Sequence, residues 1–207
     1  LSSPAIGSDG TVYVMDGKLF AITPTGSQKW VFSRGGDMGH SSPALGSDGT
    51  IYINTQSPHK LYAINPDGTK KWEFFTSQLD TICCAPSLGS DGTIYVTQNV
   101  TQITLGKLYA LNPDGTQKWV FSADPGVFLY DTAIGLEGII YIRASNKLYA
   151  INSDGTKKWS VDVILTSAPT IGAGDIIYAH GNSTLYAFNP DGTRKWAFIP
   201  DGKFFAS

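Results

Sequence analysis

Residues 60–72 read KLYAINPDGTKKW, and this phrase indicates the architecture because it recurs along the chain. Each copy ends in a tryptophan, and the copies are spaced about 40 residues apart, which is typical of stacked supersecondary units. The sequence therefore predicts five structural repeats. The other copies are KLFAITPTGSQKW (18–30), KLYALNPDGTQKW (107–119), KLYAINSDGTKKW (147–159) and TLYAFNPDGTRKW (184–196).

A second phrase precedes each copy of the first. Together the two phrases contain four short segments rich in β-branched and aromatic residues, joined by Ser-Asp-Gly-Thr and Asn-Pro-Asp-Gly-Thr turns. Four antiparallel strands repeated five times predict an all-β fold, a β-propeller of five four-stranded blades. The second phrase reads SSPAIGSDGTVYV (2–14), SSPALGSDGTIYI (41–53), CAPSLGSDGTIYV (84–96), DTAIGLEGIIYI (131–142) and SAPTIGAGDIIYA (167–179).

The distribution of side-chain size also favours a propeller. The first segment of each repeat is dominated by Ser, Ala, Pro and Gly, which suit the crowded centre of the ring. Tyrosine and tryptophan occur on the outer segments, where they can fill the widening space between blades. We therefore expect the five tryptophans to be structural, inter-blade residues: Trp30, Trp72, Trp119, Trp159 and Trp196.

The repeats predict one domain over residues 1–207. The expected blades are approximately 1–39, 40–82, 83–130, 131–166 and 167–207. Because the chain begins with Leu1 and has no signal peptide, we expect a processed, excised or partial chain. Five whole repeats favour a closed five-blade ring over a window from a longer array.

Composition excludes several classes of partner. Fifteen Lys and Arg against 17 Asp and Glu give a net charge of −2, so no basic field attracts nucleic acid. No apolar run has the length that a transmembrane helix needs. We therefore expect neither nucleic-acid binding nor a membrane span.

The two phrases resemble the pyrroloquinoline-quinone-like (PQQ-like) propeller repeat, through S-P-A-I/L-G, D-G-T-I/V-Y-V, K-L-Y-A-I/L-N and G-T-x-K-W. That repeat occurs in quinoprotein alcohol dehydrogenases and in a non-enzymatic outer-membrane assembly lipoprotein. The dehydrogenases of this family carry an acidic residue ahead of the turn, where this chain has Thr or Asn. No calcium-ligand set and no aspartate base can be placed, so we expect no cofactor and no metal. The positions that depart are Thr23, Asn65, Asn112, Asn152 and Asn189.

A few residues invite a functional interpretation. Adjacent Cys83 and Cys84 resemble the vicinal disulfide of quinoprotein methanol dehydrogenases, and the alternative is two structural cysteines on opposite faces of a strand. Asn99 and Asn182 begin sequences of the N-glycosylation pattern, between the second and third strands, where we expect exposure. The three histidines share no metal-ligand spacing, which favours surface or core roles.

The repeats also indicate where a binding site would lie. Turns between strands one and two, and between three and four, are nearly constant and share one end of the blades. The loops at the other end vary in length and sequence, and recognition residues concentrate on such loops. We call this end the variable face. Its candidate binding residues are Arg34, Asp37, His40, Gln78, Asp80, Phe128, Tyr130, Asp131, Arg143 and His180.

These observations predict a non-catalytic scaffold or binding propeller that is exported: secreted, periplasmic or at the cell surface. Its variable face would serve protein–protein interaction or assembly, with a protein partner or self-association. Two alternatives remain open at this point. One is a carbohydrate-binding propeller that uses exposed aromatic rings, and the other is a fragment of a PQQ-dependent dehydrogenase.

Overall fold

The computed structural model describes residues 2–34, 38, 41–56, 59–75, 80–82 and 84–200. Within these ranges the strands form five antiparallel sheets, and each sheet follows the chain in order. The first two sheets contain β1 (Ala5–Ile6), β2 (Val12–Met15), β3 (Leu19–Ile22) and β4 (Gln28–Phe32), then β5 (Ala44–Leu45), β6 (Ile51–Gln56), β7 (His59–Ile64) and β8 (Lys70–Phe74).

The remaining three sheets repeat the same order of strands. The third contains β9 (Asp80–Ile82), β10 (Ser87–Leu88), β11 (Ile94–Val100), β12 (Leu105–Leu111) and β13 (Gln117–Ser122). The fourth contains β14 (Leu129–Ile134), β15 (Ile140–Ala144), β16 (Lys147–Ile151) and β17 (Lys157–Asp162), and the fifth β18 (Thr170–Ile171), β19 (Ile177–Gly181), β20 (Thr184–Phe188) and β21 (Arg194–Phe198). Short 3-10 helices span Thr101–Ile103, Leu136–Gly138 and Ala173–Asp175.

The predicted all-β propeller of five four-stranded antiparallel blades is confirmed. The third sheet has one extra short strand, because β9 pairs with β11 along the edge that β10 also occupies. Thus β9 belongs to the third sheet although the expected blade limit falls after residue 82, and β14 begins at Leu129, before the expected limit at 130. In blades three and four, the segment that enters the blade therefore lengthens the blade's inner edge.

The constant turns lie at one end of the blades because both connect antiparallel neighbours. In the third blade, Thr93 donates its backbone N–H to Asp91 Oδ1 over 3.0 Å and its hydroxyl to Asp91 Oδ2 over 2.7 Å. Such an Asx turn explains the repeated Asp and Thr without a ligand. Blades four and five replace it with the 3-10 helices at 136–138 and 173–175.

The apolar core lies between neighbouring blades. Each of four buried clusters joins one sheet to the next, so every junction has its own small core. Between blades one and two, for example, Met15 and Phe32 pack with Ile51, Ile53 and Tyr62. Burial of this apolar surface is the main force that holds the blades together.

A tryptophan on the fourth strand marks each of the four junctions. Trp30 donates its Nε1–H to the carbonyl oxygen of Pro66 over 2.9 Å, and its ring covers Gly68. A side chain at Gly68 would meet this ring, since an added Cβ would lie 2.7 Å from it. The same pair of contacts joins Trp72 to Pro113 and Gly115, Trp119 to Ser153 and Gly155, and Trp159 to Pro190 and Gly192.

The expectation of a closed five-blade ring is wrong for this structure. On the fifth sheet Trp196 is 39% exposed, and on the first sheet Ile6 is 68% exposed. Gly26, which corresponds to Gly68, would have nothing within 4 Å of an added Cβ. The contact that seals the other junctions is therefore absent between these described parts of blades five and one.

Candidate functional site

The repeats diverge at the residue two positions after their shared second-strand tyrosine. This position lies towards the variable-face end of the second strand, where the blades stop resembling one another. Sequence analysis singled out two of its members and missed the others, although comparing the repeats position by position would have found them. The five residues are Met15, Asn54, Thr97, Arg143 and His180.

Arg143 belongs to a cluster on the inner edge of blade four. Between Leu129 and Thr132 the register of β14 against β15 shifts, so that Tyr130 and Asp131 oppose Arg143 alone. Bulges of this kind redirect side chains and occur often beside functional sites. Here both displaced residues contact the arginine.

The arginine is held by two different interactions. Its Nε and Nη2 both donate to Asp131 Oδ2, over 2.9 and 2.7 Å. Its guanidinium carbon lies 4.3 Å from the centroid of the Tyr130 ring, within the range of a cation–π contact. The Arg143 side chain is 19% exposed and that of Asp131 is 34% exposed, so the pair is partly shielded from water.

Two long loops of blade three lie beside this cluster and are tied together by backbone hydrogen bonds. Gly126 N–H donates to the carbonyl of Thr104 over 2.9 Å, and Gly106 N–H donates to the carbonyl of Val127 over 2.7 Å. These bonds fix the segment 124–128 against the turn that carries Ile103. Ile103 is 63% exposed despite being apolar.

We call the resulting surface the platform. Phe128, which is half-buried, connects its two parts, because its N–H donates to Ser145 Oγ over 3.0 Å in blade four. The platform combines an exposed aliphatic residue, two aromatic rings and an ion pair on anchored backbone. Its members are Ile103, Phe128, Tyr130, Asp131 and Arg143.

A buried tyrosine anchors the loop that leads to the platform. Tyr149 donates its hydroxyl to Asp124 Oδ2 over 2.9 Å, which links this inter-blade loop to β16. Burial, together with the Asp124 carboxylate, raises the pKa of Tyr149 to about 12. The phenol therefore stays protonated at physiological pH and continues to donate this bond.

Asn99 is a structural residue, and the expectation that it is exposed is wrong. Its Nδ2 donates to the carbonyl of Leu129 and its Oδ1 accepts from Leu129 N–H, both over 2.9 Å. Only 6% of Asn99 is exposed, so its amide nitrogen is not open to a glycan. Asn182 lies on an exposed hairpin turn with φ +50°, and glycosylation there stays a prediction.

Two of the other candidates, Arg34 and His180, lie in blades one and five, away from the blades that form the platform. Arg34 is exposed just after β4, and Asp80 begins β9. His180 Nδ1 lies 3.1 Å from Thr166 Oγ1 in the segment that enters blade five. Asp37, His40, Gln78 and Cys83 lie outside the described residues, and the predicted disulfide therefore stays a prediction.

The geometry limits the carbohydrate alternative. Four of the tryptophans lie in blade junctions with their rings against a glycine of the next blade, as described above. A ring in this position has a covered face, whereas a sugar stacks on an open one. Of the five tryptophans, only Trp196, at 39% exposure, is exposed.

Clefts also occur at the constant face, between successive turns. Three equivalent clefts have volumes of about 470, 440 and 410 Å³. The first contains Asp9 and Asp48, whose carboxylates already accept hydrogen bonds from a neighbouring threonine and a lysine. These acceptors are therefore occupied within the blade.

No group of three or more His, Cys, Asp or Glu side chains in the described part of the chain could hold a metal ion. Among the helical segments of those same residues, none combines the length and apolar character that crossing a bilayer requires.

Several solved structures share this architecture. BamB from Moraxella catarrhalis is 19% identical, with a TM-score of 0.73 over 98% of this chain and 62% of that one. Virginiamycin B lyase from Staphylococcus aureus is 14% identical, with a TM-score of 0.75 over 96% of this chain and 69% of that one. A Bacteroides caccae protein of unknown function is 13% identical, with a TM-score of 0.67 over 91% and 73%. At these identities the likeness concerns the fold alone.

The chain spans 62% of the length of the Moraxella protein. No curated protein matches its sequence. The family model described as outer membrane protein assembly factor BamB matches residues 1–126 and 104–202, which together cover nearly the whole sequence and agree with the PQQ-like repeat predicted above. The chain therefore belongs to this BamB family of PQQ-like propellers.

Proposed function

We propose that the chain is a non-catalytic binding propeller that recognises a protein partner through the platform on its variable face. The platform is the observation that carries this proposal. Aromatic and arginine side chains dominate the binding energy of protein interfaces, particularly where the free surface is already ordered. Tyr130 and Arg143 provide such a pair, held by Asp131 and the bulge in β14.

The chemistry of the platform also suggests what kind of surface it binds. Ile103 offers exposed apolar area and Phe128 a half-buried ring on the loops that lead to β14, while Asp131 leaves one oxygen atom, Oδ1, outside the bonds to Arg143. An extended or loop segment of a partner would fit this surface if an apolar side chain covered the apolar area and a hydrogen-bond donor reached Asp131 Oδ1. A purely anionic partner would instead face the Asp131 carboxylate.

Family membership supports the cellular setting of the proposal. The matching family is described as an outer membrane protein assembly factor. We therefore propose that the chain works on the exported side of a cell envelope, at the periplasm or the cell surface. The partner would be a protein that takes part in outer-membrane assembly.

Site-specific photo-crosslinking in the native host tests the proposal. A photoreactive phenylalanine would replace Tyr130, and the matched control would place it at Asp154, an exposed position in the constant turn of the same blade. We expect an ultraviolet-dependent protein adduct from position 130 in the envelope fraction and none from position 154. An equal yield from both positions, or no adduct from 130, would contradict the proposal.

A further inference from the structure

Asp131 holds Arg143 by one edge of its guanidinium group. Nε and Nη2 both donate to the same oxygen atom, Asp131 Oδ2, over 2.9 and 2.7 Å. A guanidinium carries five N–H donors in a fixed plane, and this pairing uses two of them. The N–H groups of Nη1 and the second N–H of Nη2 therefore lie on the other edges. Among the described residues, no acceptor bonds to Nη1.

Two more polar atoms of this cluster have no partner in the described part of the chain. They are Asp131 Oδ1, which lies outside the bonds to the arginine, and the hydroxyl of Tyr130. Within that part of the chain, neither these atoms nor Arg143 Nη1 are buried without a partner. The ion pair thus offers donors on Arg143 and an acceptor on Asp131 to a ligand that arrives from solvent.

The charge of the ion pair limits the chemistry of that ligand. Arg143 and Asp131 have opposite charges, with 2.7 Å between Nη2 and Oδ2, so the pair as a whole is neutral. A carboxylate would bond to the arginine but meet the other oxygen of Asp131, and an ammonium group would bond to Asp131 but meet the guanidinium. A neutral group that both donates and accepts satisfies the two residues together, and removing it from water costs less than removing an ion.

The shielding of the pair favours a side chain over a backbone peptide unit. Only 19% of the Arg143 side chain and 34% of the Asp131 side chain are exposed. The ring of Tyr130 covers one face of the guanidinium, with its centroid 4.3 Å from Arg143 Cζ. A backbone peptide unit brings the chain with it on both sides, whereas a side-chain amide extends from its chain on a narrow methylene stem.

We infer that the platform recognises a glutamine or asparagine side chain of its partner, next to an apolar residue. The amide oxygen would accept from Arg143 and the amide nitrogen would donate to Asp131 Oδ1, since a carboxamide carries one acceptor oxygen and two N–H donors. The apolar neighbour would cover Ile103, which is 63% exposed. The bulge in β14 and the Tyr130 ring hold the ion pair in place before binding, so little side-chain freedom is lost. This inference rests on the proposed function, because it names the chemical group that the platform binds on a protein.

Short acetylated peptides test the inference on the purified full chain. In the sequence Leu-X-Leu, X is Gln, Glu, Lys or Met, which differ in charge and hydrogen bonding but have similar lengths. Nuclear magnetic resonance follows the Nε–H signal of Arg143 and the methyl signals of Ile103 during each titration. We expect the Gln peptide to bind about tenfold more tightly than each of the others, which is the loss expected when a hydrogen bond to a charged group is missing.

Changes in the ion pair should change the preferred peptide. Asp131→Asn leaves the charge of Arg143 uncompensated, so the Glu peptide should become the tightest ligand. Arg143→Gln leaves the carboxylate of Asp131, so the Lys peptide should become the tightest ligand. Asp162→Asn is the matched control, because it breaks the 2.6 Å ion pair with Lys147 in the same blade and should keep the preference for Gln. Thermal melting confirms folding, and a general loss of structure would weaken all peptides without reversing their order.

Three outcomes would overturn the inference: no shift of the Arg143 and Ile103 signals with the Gln peptide, another peptide that binds the unmodified chain as tightly, or an unchanged order of preference in Asp131→Asn. Photo-crosslinking from position 130 tests the proposed function whatever the chemistry of the bound group. A crosslinked partner without a preference for Gln would contradict only the inference about the side chain. A preference for Gln without a crosslinked partner would contradict only the proposed function.

Discussion

Trp72 donates its Nε1–H to the carbonyl oxygen of Pro113 in the next blade over 2.9 Å. This bond is the repeated unit of the propeller, because its equivalents join four successive pairs of sheets. It satisfies the one polar atom of a large apolar ring while the ring itself excludes water from the junction. The phrase that ends in K-W thus specifies an interface between blades as well as a strand.

Alanine substitutions at two equivalent glycines should separate the cost of displacing a tryptophan ring from the cost of backbone strain. Gly68 and Gly26 have nearly the same φ, +88° and +85°, but only Gly68 lies under an indole ring. We expect Gly26→Ala to lower the free energy of unfolding by about 1 kcal/mol, from the left-handed backbone. Gly68→Ala should cost roughly 2 to 4 kcal/mol, because the added methyl also displaces Trp30. If urea unfolding shows equal losses of unfolding free energy for the two variants, close packing of Trp30 on Gly68 does not stabilise the junction.

Asn99 should be among the most sensitive polar residues. Asn99→Ala removes both hydrogen bonds between the Asn99 amide and the Leu129 backbone in a buried place, which should cost about 2 to 4 kcal/mol. The control is Asn152→Ala, which removes an exposed turn bond to Thr156 and should cost under about 1 kcal/mol. Chemical denaturation of both variants measures the difference, and a loss at Asn99 no greater than at Asn152 would show that the Leu129 pairing adds little.

The two glycosylation patterns should behave differently in a glycosylating host. We expect a glycan at Asn182, on its exposed turn, and none at Asn99. Asn182→Gln should therefore remove every glycan-sized increment from the intact mass. A glycan that survives this change would show that Asn99 is accessible before the sheet forms.

Glu73 should give the fold an acid-sensitive component. Hydrogen bonds from Lys60 and Lys70 lower the pKa of its carboxyl to about 2, well below the usual value of 4.5. The stabilisation of the fold by ionised Glu73 is therefore complete above about pH 4.5 and disappears as the pH falls towards 2. Glu73→Gln should lose on the order of 2 kcal/mol at pH 7 and show a smaller further loss between pH 4.5 and 2.

A matched variant isolates this effect from general acid unfolding. Glu137→Gln changes an exposed glutamate for which no ion pair occurs among the described residues, so its melting temperature should follow pH as the unmodified chain does. If Glu73→Gln has the same pH dependence as Glu137→Gln, the ion pairs with Lys60 and Lys70 do not stabilise the fold.

Much of the fold could be predicted from sequence because its repeats report the same local physics several times. Turn residues such as Asp91 and Thr93 satisfy their own backbone, so their pattern indicates hairpins without tertiary information. The environment of Trp196 could not be predicted, because Trp196 and Trp72 have nearly the same local sequence but differ in what lies opposite the ring. Whether a tryptophan ring is buried depends on how the neighbouring blade is placed.

The platform was predictable only in part. Variability among the repeats put Phe128, Tyr130, Asp131 and Arg143 among the ten candidates on the variable face. It gave no sign that a bulge in β14 places Tyr130 and Asp131 opposite Arg143. Ile103 was missed because an isoleucine in a strand-rich sequence is normally core, whereas here a 3-10 turn holds it outward. Asn99 was misjudged because its pairing partner lies in the next blade.

The affinity of the crosslinked partner for platform variants is the sharpest test of recognition through this surface. With the purified partner and the full chain, calorimetry would compare Tyr130→Ala with Asp154→Ala, the matched change at the opposite end of blade four. We expect Tyr130→Ala to weaken binding at least about tenfold, which corresponds to about 1.4 kcal/mol, and Asp154→Ala to leave it unchanged. An unchanged affinity for Tyr130→Ala, or an equal loss from both variants, would contradict recognition through the platform.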